Sequence, residues 1–569
     1  MQLSVSYRGR SQVARTTVGL AVSLAPNLRR DRVSFTGTLR HPLRFREAVS
    51  ALHDVVVSDL RFERKDKTAY EQWKREEKER EGRIRREAVA ARRKDLLGEL
   101  NKPVAAGLEA SFARCRSRYW AARQKYSSYL QREDPQLWRL LMPCDPVITV
   151  SPDVVFFECF SADESSYGCL TVDRDAFEAE RDVSLGTTNV DYSWRLYDHF
   201  QEIRSYRETR FTIDPLGFEV QTQADAVTYR EEKIELPPSW LRGFSTLQSA
   251  MSLPMRRVPV SREGVYAILA FLKRNKAKAS PRAVRFELFP GQPTAIVLEP
   301  WEQRIVLHST PYQGKRAEVI RVWGRDRLRV LARLLPVLDG ADVYLLGTGL
   351  PSFWVMRMGE MQLTLGLSGW TTNDWTSGGS ALDQLAPPVE PAPAMMNEVA
   401  AAFRENTRWT LDALAARVRA PAPAVSAGLN KLALLGQVIH DLPHEVYRWR
   451  QVMPVTLSAE LIGPENPETV AARAMNPAQV KLTLDHTDAK GMRHLAGKAA
   501  GTNATVEVTL DADQRVVAGQ CSCSYFFTGG LRMGPCRHLQ AIRNKALNPD
   551  PSGGTLETWY RRFAPVGVR

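Results

Sequence analysis

The spacing of apolar and polar positions changes several times along this chain, and each change marks a boundary. In the first 60 residues, short apolar runs at 18–25 and 33–40 read as β-strands, and 43–57 reads as a helix. Residues 63–100 carry 23 charged side chains of both signs, with Tyr70, Trp73, Ile84, Val89 and Leu96 as sparse apolar points. That pattern predicts a long, solvated helix. Asn101-Lys102-Pro103 breaks it, because proline cannot continue a helix and restricts the residue before it. Helical spacing resumes over 105–131, so 63–131 is expected to form a long antiparallel helical hairpin, an arm on a basic N-terminal region spanning 1–142.

From 143 to 386 the pattern becomes short β-rich segments with turn residues between them. Strands are expected at 147–150, 154–160, 168–172, 210–213, 218–222, 284–288, 295–298, 304–308, 317–323, 343–346 and 353–358. Helices are expected at 192–205, 262–273 and 326–338. This is an α+β region of one or two domains. Pro, Ala, Gly and Ser crowd 376–394 as a linker.

A compact unit over 395–452 follows. Helices are predicted at 397–404, at 411–418 with Thr410 as N-cap, and at 424–435 with Gly436 as its stop. A hairpin, 438–440 with 446–450, completes it. Three helices and a hairpin in this order resemble a winged helix-turn-helix. After a turn near Pro464–Pro467, the last domain spans 468–569, and its alternating segments 505–510 and 515–520 deliver the chain to Cys521.

Composition narrows the picture. The chain has 569 residues, enough for several domains, with 44% hydrophobic and 25% charged residues. No apolar run approaches the roughly 20 residues of a membrane span. The patch at 18–25 is too short for a signal peptide, and no Ala-x-Ala cleavage site follows it. Seven cysteines without a paired framework point to a reducing compartment, and the expected location is cytoplasmic. The net charge of +14 lies wholly within 1–142, where 31 Lys/Arg meet 17 Asp/Glu; the remaining 427 residues hold 47 of each sign. A local excess of this kind suits an acidic partner.

The strongest chemical signal is Cys521-Ser-Cys523, twelve residues, then Cys536-Arg-His538. Three thiolates and an imidazole form a complete donor set for one structural Zn²⁺, with no coordination position left open. Together with the preceding hairpin and a helix from His538, the pattern resembles the SWIM zinc finger, with a core at 505–546. The resemblance implies a domain that binds DNA or protein.

Candidate phosphate contacts are Arg417, Arg419, Lys431, Arg448 and Arg450 in the winged-helix-like unit, and Arg532, Arg537, Arg543 and Lys545 in the finger. In the arm, Arg114, Arg118, Arg123 and Lys125 interleave with Tyr119 and Trp120, a composition that serves nucleic-acid stacking, partner docking or helix packing alike. Signals for catalysis are poor. There is no phosphate-binding GxxxxGK loop, and Asp153, Glu158, Asp163 and Glu164 fall at strand ends and in a turn, where carboxylates are ordinarily solvated. No catalytic residue is assigned.

Val155-Phe156-Phe157-Glu158-Cys159-Phe160 with Asp163-Glu164-Ser165-Ser166-Tyr167, Gly186-Thr187-Thr188-Asn189 and Gly369-Trp370-Thr371-Thr372-Asn373-Asp374-Trp375, taken with the finger, resemble a group of bacterial SWIM-finger proteins. Their genes sit beside a MoxR-type AAA+ ATPase and a von Willebrand A-domain protein. The resemblance implies a non-catalytic adaptor for that ATPase system. The alternative is a DNA-binding protein of regulation or defence that uses the winged helix and finger.

Overall fold

A computed structural model describes residues 12–58, 146–213, 238–369, 385–453, 467–547 and 555–564, apart from short breaks at 16–18, 25, 27–31, 191–196, 198–199, 207 and 503–504, with isolated positions elsewhere. The chain divides into two units, 1–58 with 143–569, and 59–142. Nearly all of the expected arm lies outside the described residues, including Tyr119, Trp120, Arg123 and Lys125; Arg114 and Arg118 are helical and exposed.

The larger unit begins with β1 (Gln12–Arg15), β2 (Gly19–Leu24), β3 (Ser34–Leu39) and α1 (Pro42–Val56). The chain returns with β4 (Val147–Val150), β5 (Val154–Phe160), β6 (Ser166–Asp173), β7 (Phe177–Ser184), β8 (Gly186–Asn189) and β9 (Glu208–Ile213). Next come α2 (Pro238–Met251), β10 (Arg256–Ser261), α3 (Arg262–Arg274), β11 (Val284–Leu288), β12 (Pro293–Leu298), β13 (Gln303–Pro311) and β14 (Glu318–Val322). A 3₁₀ helix, Arg325–Leu334, precedes β15 (Gly340–Leu345), β16 (Ser352–Met358) and β17 (Met361–Leu367). Three sheets result, ordered β1-β2-β9-β3-β7, β10-β15-β16-β17-β6-β5-β4-β8 and β13-β12-β11-β14. β1, β2 and β3, all before residue 40, share the first sheet with β7 and β9, and residues 1–58 fall in the same unit as 143–569.

The helix expected over 326–338 is instead the 3₁₀ segment. Its buried Leu328, Leu331 and Leu334 recur every third residue, and three residues per turn puts them on one face.

β5 shows why the eight-stranded sheet lies inside the body. All seven of its residues are buried, which requires cover on both faces. On one face Phe157 meets Phe45 of α1 edge-on at 5.9 Å, and the Cys159 thiol faces the Leu52 carbonyl. On the other, Phe160 packs against Trp240 and Phe244 of α2 at 5.4 and 4.9 Å. Gly243 makes that approach possible, since a Cβ there would stand 3.0 Å from the Phe160 ring.

The next elements are α4 (Pro393–Glu405), β18 (Arg408–Trp409), α5 (Leu411–Val418), α6 (Ala422–Leu434), β19 (Val438–Asp441) and β20 (Val446–Trp449). Thr410 caps α5 by accepting from the Ala413 amide. The unit has a small core of its own around Val399, Phe403, Leu414, Leu429 and Tyr447. It is nevertheless joined to the body. Asn430 of α6 donates to the Ser249 carbonyl and to the Ser249 and Ser252 hydroxyls, and Tyr447 donates to the Ser252 carbonyl.

The last module comprises α7 (Pro467–Ala474), β21 (Lys481–Thr487), β22 (Arg493–Lys498), β23 (Val506–Leu510), β24 (Val516–Gln520), α8 (Ser524–Gly529) and α9 (Arg537–Leu547). Its strands form a four-stranded antiparallel meander with α9 packed across it, and its core is separate from that of the body. The final helix, α10 (Leu556–Phe563), leaves the module: Trp559 and Phe563 belong to the body's core, and Trp559 donates to the Leu385 carbonyl.

One side chain fastens the module to the body. Asp513, in the β23–β24 turn, is fully buried and accepts from Ser280 Oγ, the Arg282 amide and Nε, and Trp323 Nε1. Burial pushes its carboxyl up, but these donors outweigh that and hold it below the usual carboxylate range. Asp513→Ala strands those donors, and loosening of the module by about 3 kcal/mol is expected. Hydrogen exchange should show lost protection at this seam, with β5 and β17 unchanged; unaltered exchange around 280–282 and 511–515 would contradict the assignment.

Candidate metal centre

Each donor of the Cys/His set is positioned by a different local device. β24 ends at Gln520 and hands Cys521 to the site. Cys523 takes extended backbone, φ −73° and ψ 153°, and caps α8. The chain then turns back through Gly530 (φ +55°) and Gly534 (φ +88°), conformations that side chains other than glycine rarely adopt. Cys536 immediately precedes α9, and His538 lies in its first turn. Glu468 of α7 holds that helix start by accepting from the Arg537 amide at 2.7 Å and pairing with its guanidinium at 2.6 Å.

Among the described residues these four form the one group able to hold a metal, with all ligand atoms within 4.8 Å of one another. His538 Nδ1 lies 3.5 Å from Cys521 Sγ, while the ring also hydrogen-bonds the Ala500 backbone and its Nε2 edge lies beside Gly501. That arrangement leaves Nδ1 facing the thiols and orients the ring as outer hydrogen bonds orient metal-bound imidazoles. Burial, reinforced by the Arg537 charge, lowers the His538 pKa and keeps the imidazole neutral, as a ligand must be.

The thiols test the fit. Burial pushes Cys521 up, and Cys536 to about 12. Buried in this way, Cys521 and Cys536 are poor thiolates, and a divalent cation would reverse this by binding the deprotonated form. Ligand atoms on a tetrahedral Zn²⁺ lie roughly 3.5–3.8 Å apart. A cage of 4.8 Å would need only to draw in slightly. The residues fit a metal ion.

The other candidate residues are dispersed. Arg448 and Arg450 are each 2% exposed. Arg448 is held by Asp441 at 2.7 Å and Asp153 at 2.6 Å, and Arg450 pairs with Glu158. Arg417 pairs with Glu405, Lys431 with Glu390 and Arg537 with Glu468. Arg543 donates to the Gln514 carbonyl. Lys545 is half-buried, and Arg419 and Arg532 are exposed.

The expected solvation of the Asp153–Glu164 carboxylates is overturned at two positions. Glu158 is fully buried and also accepts from Tyr167 at 2.6 Å. Asp163 is 2% exposed and binds Ser161, Ser165 and Arg327. The available signal was a lone carboxylate inside the apolar run Val154–Phe160, which a buried strand tolerates only with a charge partner.

No protein-family model matches this sequence. No curated protein matches it either. Among solved structures, proliferating cellular nuclear antigen from Entamoeba histolytica shares 11% identity at a TM-score of 0.27, covering 40% of this chain and 89% of that one. The PCNA of A. fulgidus bound to the C-terminal region of FEN-1 gives 16% and 0.26, covering 40% and 91%. PCNA from Thermococcus kodakaraensis gives 12% and 0.27, covering 40% and 90%. A likeness this slight carries no conclusion about this chain.

Proposed function

We propose that the chain is a non-catalytic adaptor whose C-terminal module, a SWIM-type finger, is closed by one structural Zn²⁺ and presented to a protein partner. The observation that carries this reading is the complete Cys₃His set at the junction of β24, α8 and α9. Four protein donors leave no position for substrate or activated water, which is the signature of a zinc that folds a domain. The partner implied by the resemblance is a MoxR-type AAA+ ATPase or its von Willebrand A-domain companion, and the 63–131 arm is a second docking element.

The order of α4, α5, α6 and the β19–β20 hairpin supports a winged-helix-like unit used for packing. Its third helix spends Asn430 on α2, and two of its arginines are occupied inside the protein. A DNA-reading role would need the groove-facing helix and those cations free. DNA binding remains the second reading because the finger contains no acidic residue from 514 to 549.

The purified chain should carry one equivalent of zinc and bind a MoxR-type AAA+ ATPase. Nucleic-acid binding that falls steeply with salt, and disappears on deleting 397–569, would instead establish the DNA reading.

A further inference from the structure

We infer that the metal-bridged loop 524–535 is a docking knob: Phe527 enters an apolar pocket on a protein partner, and Arg532 pairs with a carboxylate at the pocket's rim. This rests on the adaptor reading and names the contacting surface. The loop holds Tyr525, Phe526, Phe527 and Leu531. Tyr525, Phe526 and Leu531 pack against the module's core, whereas Phe527 is 89% exposed, the most exposed of the large apolar side chains described.

Its position is fixed. The Phe527 amide donates to the Cys523 carbonyl at 2.9 Å, and the Thr528 hydroxyl donates to the Ser524 carbonyl at 2.9 Å. The metal ligands at both ends of the loop anchor the turn that carries the ring. Binding therefore need not order the backbone that carries the ring, which lowers the entropic cost of using it as an anchor.

Charge identifies the partner. From 514 to 549 there are five cations, Arg515, Arg532, Arg537, Arg543 and Lys545, and no Asp or Glu. Arg515 is bound to Asp511, Arg537 to Glu468 and Arg543 to the Gln514 carbonyl. Arg532 is exposed and has no ion pair among the described residues. One exposed aromatic ring with one open guanidinium in the same loop suits a single pocket. A nucleic-acid strand would require successive rings along a continuous cationic groove.

The test uses the full chain in its metal-bound form, with a purified MoxR-type AAA+ ATPase and its von Willebrand A-domain companion as probes and oligo-dT as a control. Phe527→Ala and Arg532→Glu should each weaken protein binding at least tenfold, with metal content and circular dichroism unchanged. The Arg532→Glu effect should shrink as salt rises. If the parent chain binds and both variants bind equally well, the knob is wrong while the adaptor reading stands. Failure of the parent to bind either protein removes both. Oligo-dT binding lost in the two variants would overturn the knob in favour of nucleic acid.

Discussion

Cys536→Ser is expected to cost the chain its bound metal and to unfold the module over 467–547, while the central body keeps its fold. Cys536 is fully buried in a core of eleven residues, two of which belong to the candidate metal set. A module of this size rarely folds on so small a core without a staple. A structural Zn²⁺ here would be worth about 10–16 kcal/mol near neutral pH, as much as seven buried Val, Leu and Ile side chains contribute before the entropy of ordering the module is subtracted. Serine nearly preserves the shape, which separates loss of the metal from loss of packing. Metal analysis and limited proteolysis check the two parts: metal should fall to zero, and cleavage should appear within 467–547 and not in β4–β6. A doubly substituted chain, Cys523→Ser with Cys536→Ser, that retained one equivalent of metal would falsify the site.

The second large effect is expected at Glu158. Its carboxylate lies on the central strand β5, where Arg450 and the Tyr167 hydroxyl are its partners and both charged side chains are fully buried. Arg450 also stacks over Phe244 at 5.4 Å, so this pair joins the eight-stranded sheet, α2 and the segment after β20. Glu158→Leu leaves the guanidinium buried without its counter-charge, and breaking such a pair from one side costs about 3–5 kcal/mol. Combining it with Arg450→Met removes both charges and should recover much of the loss, because a buried ion pair and a well-packed apolar pair are nearly equivalent. Denaturant unfolding followed by tryptophan fluorescence reads both variants. A single substitution that proved harmless would mean that the pair does not hold the joint.

The two sites differ in how far the sequence revealed them. Cys521, Cys523, Cys536 and His538 lie within eighteen positions, and thiol and imidazole chemistry at that spacing already implies a shared ion. Strands such as Val147–Val150, Val154–Phe160 and Val284–Leu288 were equally legible, being short apolar runs bounded by turn residues. The Glu158–Arg450 pair spans 292 positions, and nothing local at either residue names the other. Helix α2 escaped notice because Gly243 and several Ser and Thr residues weaken its local signal. Those small residues are there so that Phe160 and α6 can approach closely.

By itself, then, the sequence determined what depends on near neighbours: the period of many of the strands, the cap at Thr410 and the grouping of four candidate metal donors. Only the tertiary structure decided which charges face solvent. It buried Arg448 and Arg450 against distant carboxylates, inserted Asp513 into the body and returned α10 to the central core. Backbone preference and metal spacing act over a few residues. The burial of a charge depends on what the rest of the chain brings to its other side.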